Sequence, residues 1–122
     1  MAQVLAERAA CVKRQVGCVV VDDLGQVVGT GYNGRARHCG NCLDLEVCIG
    51  GCEGVHAEVN ALLQAGQRGR VMHLTHAPCW HCMKTIVNSG IRMVYYLDAT
   101  TLEDRSALLA CDAGVHLRQT TV

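Results

Sequence analysis

Phenylalanine is absent from the 122 residues, and tryptophan and proline occur once each, as Trp80 and Pro78. Three tyrosines complete the aromatic complement. So short a chain with so few large side chains has little core to spare, which predicts that it buries further surface against copies of itself, as a homo-oligomer. Neither sign of charge is in excess: eleven Lys and Arg offset eleven Asp and Glu. A protein that grips long nucleic acid through its phosphates needs a basic surplus, so that partner is not expected. A small anionic ligand needs only a few local cations. Long apolar runs are missing too: residues 16–21 (VGCVVV) fall far short of the ~20 needed to span a bilayer, and no membrane association is expected. The opening MAQVLAERAA puts Glu7 and Arg8 where a secretory signal needs an apolar stretch. The nine cysteines are therefore expected in a reducing compartment, the cytoplasm. There they serve as metal ligands, catalytic thiols or small core residues rather than as disulfides.

What is present reads as one domain over residues 1–122. Good helix formers over 2–14 predict a first helix. The dense β-branched run 16–21 predicts a buried strand, Asp22-Asp23-Leu24-Gly25 a turn, and 26–32 a second strand, so the pair forms a hairpin. Residues 35–55 have almost no periodicity and form a Cys-rich loop, too long for a compact domain unless something ties it down. A helix over 56–65 with Ala57, Ala61 and Leu62 inward, a strand over 70–75, a helix over 79–89, a strand over 91–97, a helix over 101–112 closed by Gly114 and a short strand over 115–118 complete the order. Strands separated by single helices imply parallel crossovers, with the hairpin as the antiparallel edge of a mixed five-stranded α/β sheet.

The sharpest chemical signal is His56-Ala57-Glu58 followed by Pro78-Cys79-Trp80-His81-Cys82. Cys79 and Cys82 stand three apart at a helix start, where both thiols converge and the dipole favours thiolate. His56 opens the preceding helix and supplies a third ligand. Three protein ligands leave zinc one open tetrahedral position, the arrangement of catalytic sites. Glu58, two residues beyond His56, is placed beside the metal to move protons. This is the H-x-E…P-C-x-x-C signature of zinc nucleobase deaminases. The alternatives are a redox or structural pair for Cys79 and Cys82, and a dipole-stabilised first-turn acid for Glu58. Neither pairing explains Glu58.

On these residues the chain resembles the deoxycytidylate (dCMP) deaminases of the cytidine deaminase superfamily. The matching stretches are 11–17, Gly29-Thr30-Gly31-Tyr32-Asn33-Gly34, His56-Ala57-Glu58-Val59-Asn60-Ala61, 75–82 with Lys84, and Ser89-Gly90-Ile91. The zinc motif belongs to the whole superfamily. Gly31-Tyr32-Asn33-Gly34 together with 56–61 is more particular to the dCMP branch. The resemblance implies a three-layer α-β-α cytidine deaminase-like fold and hydrolytic deamination of dCMP to dUMP and ammonia, with Glu58 as proton shuttle. It places Asn33, Asn60 and Ala57 near the substrate, although Asn33 is equally an ordinary turn residue. Arg35 and Arg37, which replace the pair common in the family after Gly34, are the candidates for phosphate contact. Solvated loop charge is the other reading of both. Part of the family binds dCTP or dTTP as effectors near Gly31–Gly34, which would bring Mg2+ with the nucleotide. Deamination of another nucleobase, a nucleoside or a tRNA adenosine is the alternative within the superfamily, and a non-catalytic zinc module the alternative outside it.

Cys39-Gly40-Asn41-Cys42 and Cys48-Ile49-Gly50-Gly51-Cys52 have the spacings of structural zinc sites. Some relatives place second-zinc ligands at the positions of Cys11 and Cys39, so five candidates, Cys11, Cys39, Cys42, Cys48 and Cys52, compete for four places. Cys18 and Cys111 read as small core residues, His73 and His116 as structural or surface positions, and Trp80 as packing against substrate or a neighbouring subunit. Lys84 has no assigned role.

Overall fold

The computed structural model describes residues 1–7, 15–35 and 54–121. Helix α1 (Ala2–Ala6) precedes strands β1 (Gly17–Val21) and β2 (Val27–Tyr32). They form an antiparallel hairpin in which Gly17 faces Tyr32 and Val20 faces Gly29, with a bulge at Val20/Val21. Its turn is built as Asp22 and Gly25 predict. Asp22 Oδ1 accepts from the N–H groups of Leu24 and Gln26, each at 2.9 Å.

Two-residue strands β3 (Gly34–Arg35) and β4 (Gly54–Val55) then pair antiparallel. They bring Arg35 and Gly54 side by side immediately before His56. Helix α2 (Ala57–Ala65), strand β5 (Val71–His76), helix α3 (Trp80–Asn88), strand β6 (Met93–Asp98), helix α4 (Asp104–Ala113) and strand β7 (His116–Gln119) follow. The expected order of elements holds, with ends displaced by at most three residues, except in the first helix: it is described over Ala2–Ala6, and residues 8–14 of the expected 2–14 lie outside the described residues.

The five-stranded sheet runs β2-β1-β5-β6-β7. β5, β6 and β7 are parallel, while β1 is antiparallel to β5 as well as to β2. The crossover from β2 through α2 therefore steps over β1 before it reaches β5. Alternation sorts the strands into two faces. Cys18 and Val20, Met72 and Leu74, and Val94 and Tyr96 form the core with Ala61 and Leu62 of α2, Met83 and Ile86 of α3, and Ala110 of α4. On the other face Val19, His73 and Tyr95 border a cavity with Ala2 and Gln3 of α1, so α1 supplies the second helical layer. His73 stacks on Tyr95 there, centroids 5.3 Å apart, in the structural role expected of it.

Cys18 is fully buried, as read. Cys111 is exposed, which corrects the core reading: Ala110 takes the inward position of α4 and Cys111 turns outward. Gly114, in the left-handed region at φ 77°, ends α4, and its N–H donates to the carbonyls of Ala110 and Cys111. Among the described residues no helix is long and apolar enough to cross a membrane.

Candidate metal centre

Two helix starts make the site. His56 is the N-cap of α2 and Cys79 the N-cap of α3, both in extended backbone conformation. Both side chains point across the gap between the helices. Cys82, at the third position of α3, joins them. His56 Nδ1 lies 3.2 Å from Cys82 Sγ and 3.5 Å from Cys79 Sγ. One nitrogen and two sulfurs stand within 4.8 Å of one another.

What brings α2 and α3 to this register is the sheet beneath. Gly29 and Gly31 of β2 lie flush under α2, and a Cβ at Gly31 would strike the Ala57 carbonyl oxygen. Asn60 Nδ2 donates to the Tyr32 carbonyl at 3.0 Å, and the Val16 N–H donates to Asn33 Oδ1 at 2.7 Å. On the other side, the Ala77 N–H donates to the Asp98 carbonyl, and the Thr101 hydroxyl donates to the Ala77 carbonyl, both at 2.8 Å.

The electrostatics mark the trio as a cation site. Cys79 is held down to about 3, first by its hydrogen bond with Cys82 and then by His56. Cys82 is pushed well up by sharing that hydrogen bond, by burial, and by the negative charges of Glu58 and Cys79. Glu58, 5 % exposed, is raised by burial, an effect that outweighs the pull of His56. Two sulfurs and a carboxylate crowded against one imidazole are what a divalent cation relieves. An N,S,S donor set suits zinc and leaves one position for water.

Of the other residues singled out in the sequence, Asn33, Asn60 and Ala57 gather at the start of α2. Arg35 is described only in its backbone, paired with Gly54. Arg37 lies outside the described residues, and so do Cys11, Cys39, Cys42, Cys48 and Cys52. His76 Nδ1 sits 2.9 Å from Thr75 Oγ1 and His81 is exposed, and neither enters the trio. Trp80 packs within its own chain: Lys84 Nζ lies 5.6 Å and Arg105 Cζ 4.8 Å from its ring centroid. Its Lys84 partner stands four residues on, a helical spacing readable in the sequence. Its Arg105 partner, on α4, carries no local signal.

Fold and site together define a zinc-binding α/β domain of cytidine deaminase-like architecture. The chain belongs to the family of the cytidine and deoxycytidylate deaminase zinc-binding region, whose model matches residues 1–98. It is 36 % identical to the deoxycytidylate deaminase of Saccharomyces cerevisiae, over 98 % of this chain and 42 % of the yeast protein. It is 34 % identical to the deoxycytidylate deaminase of Mycobacterium phage D29, over 79 % of this chain and 88 % of the phage protein. It thus spans less than half of the yeast relative and most of the phage one. The crystal structure of the dCMP deaminase from cyanophage S-TIM5, in complex with dCMP and dUMP, superposes with a TM-score of 0.80 at 27 % identity, covering 98 % of this chain and 90 % of that one.

Proposed function

We propose that this chain is a single zinc-dependent domain, residues 1–122, that hydrolyses dCMP to dUMP and ammonia. The convergence of His56, Cys79 and Cys82 with Glu58 buried beside them carries the reading. The naming of its relatives as deoxycytidylate deaminases and the nucleotides bound to the cyanophage protein support the substrate.

His56, Cys79 and Cys82 would hold the ion, which when bound supplies Lewis-acid activation of water. Glu58 does the proton work. Burial raises the affinity of its carboxyl for a proton. It takes a proton from the attacking water as the oxygen adds to C4 of cytosine, and passes that proton to N3. It then takes the remaining proton of the added hydroxyl and delivers it to the departing amino group, so that water's oxygen becomes the O4 of dUMP, one of its hydrogens stays on N3 and the other leaves with ammonia. Asn33, Asn60 and Ala57 contact the nucleoside, and Arg35 and Arg37 the phosphate.

Four of Cys11, Cys39, Cys42, Cys48 and Cys52 bind a second, structural zinc, and Mg2+ accompanies a nucleotide effector where one binds. The free thiols of the described cysteines suit a reducing cytoplasm. Exposed Leu63 and Leu108 suit a homo-oligomer.

The test is a panel of dCMP, CMP, deoxycytidine, cytosine and guanine followed by ultraviolet absorbance. Loss is expected with dCMP, and loss with deoxycytidine but none with dCMP overturns the substrate. Glu58→Gln is expected to keep zinc and fold while kcat falls at least ~100-fold, the scale of general acid–base catalysis. Undiminished turnover overturns the chemistry.

A further inference from the structure

Cys79 is the N-cap of α3, and its thiol is turned toward His56 and Cys82. Whatever fixes that first turn sets the aim of both sulfurs. The residue between them in the first position of the helix is Trp80. Its ring meets two cations, Lys84 one turn along α3 and Arg105 of α4, both within the range of a cation–π contact.

Two cations gathered near a helix N-terminus run against the helix dipole, which favours anions there. Their position is therefore explained by what they hold, not by the helix they stand beside. Arg105 is itself aimed: its Nε donates to Glu103 Oε2 at 2.9 Å, and Glu103 is the N-cap of α4. The same segment grips the other side of Cys79, through the Thr101 hydroxyl on the Ala77 carbonyl. Cys79 thus stands between two points, Ala77 and Trp80, that are both anchored to the start of α4.

We propose that Trp80 and Arg105 are positioning residues for the metal centre: the cation–π contact between α3 and α4, with Thr101 on Ala77, fixes the first turn of α3 and so presents Cys79 and Cys82 preset for the ion. This rests on the reading of His56, Cys79 and Cys82 as zinc ligands. Partners that orient metal ligands characteristically change affinity ~10–100-fold when removed.

The experiment is competition for zinc between the full chain and a chromophoric chelator, with the zinc of this site identified as the equivalent missing from Cys79→Ala. Trp80→Ala is expected to weaken that zinc at least ~10-fold, Trp80→Phe to retain most of the affinity, and Arg105→Ala to weaken it where Arg105→Lys does not. Thermal midpoints of the zinc-free variants are measured alongside. A role confined to gluing α3 to α4 lowers the midpoint with and without zinc equally and leaves affinity unchanged, and that result overturns the proposal. If Trp80→Ala does not fold, Arg105→Ala decides by the same readouts, since its side chain is 57 % exposed and its loss spares the core. If Cys79→Ala costs the wild-type protein no zinc, the ligand assignment itself falls. If it costs one equivalent and the Trp80 and Arg105 variants bind as tightly as wild type, only the positioning role falls.

Discussion

At the residue scale, the chemistry-bearing side chains were legible because their spacing is local. His56 and Glu58 are two apart, Cys79 and Cys82 three apart, and each pair is fixed by the helix start that holds it. The contacts that position them were not, because their partners are distant in sequence: Arg105 on Trp80, Thr101 on Ala77, Asn33 on Val16. One residue breaks the ordinary rule for polar groups in a core. Ser106, on the inward face of α4, is fully buried, and its hydroxyl has no partner among the described residues. A buried hydroxyl that has lost water without gaining a bond costs about 1–3 kcal/mol. Removing it leaves a space of one oxygen atom, a smaller loss. Ser106→Ala is therefore expected to raise the stability of the chain by about 1 kcal/mol, read as a shift of the denaturant midpoint to higher concentration at constant slope. A midpoint that falls instead means that the hydroxyl has a role in holding α4.

At the element scale, alternation and helical period located the strands and the helices after β2 to within a few residues. They could not announce the pairing of β1 with β5, since which strands become neighbours is decided by where α2 crosses the sheet. Nor could two-residue strands such as β3 and β4 leave a periodic trace. The glycines of β2 do carry a readable message once their neighbours are known. Gly31 underlies the start of α2 at Ala57, and Gly29 underlies it one turn further on at Ala61. Both positions let the helix lie directly on the strand, and only the first lies beneath the His56–Glu58 turn. Gly31→Ala forces a methyl group against the Ala57 carbonyl, so α2 must lift at its first turn. Overpacking of this kind costs about 1–3 kcal/mol. Gly29→Ala pays a similar cost one turn from the chemistry. Both variants are expected to lose thermal stability to similar extents, with the proposed deaminase activity per folded molecule falling much further in Gly31→Ala. Equal activity in the two variants would show that the first turn of α2 tolerates displacement.

At the scale of the whole molecule, the metal centre joins parts of the chain that the sheet alone holds only indirectly. His56 opens the helix after the hairpin half, and Cys79 and Cys82 open the helix of the parallel half. An ion bound by all three ties those halves together in the folded state, while the unfolded chain holds the three ligands apart. Zinc that binds only the native form stabilises it by mass action, about 4 kcal/mol when the free ion stands ~1,000-fold above its dissociation constant. Removal by a strong chelator is therefore expected to lower the thermal midpoint of the wild-type chain by well over ten degrees, taking ~4–8 °C per kcal/mol for a domain of about this size. Adding back zinc should restore it. Cys79→Ala separates this site from the proposed second one: if four of Cys11, Cys39, Cys42, Cys48 and Cys52 hold an ion, the wild-type chain carries two zinc equivalents and Cys79→Ala one, and chelation still destabilises the variant. One equivalent in wild type and none in Cys79→Ala, with the variant indifferent to chelator, would leave the His56, Cys79 and Cys82 centre as the only metal the fold depends on and would remove the structural zinc.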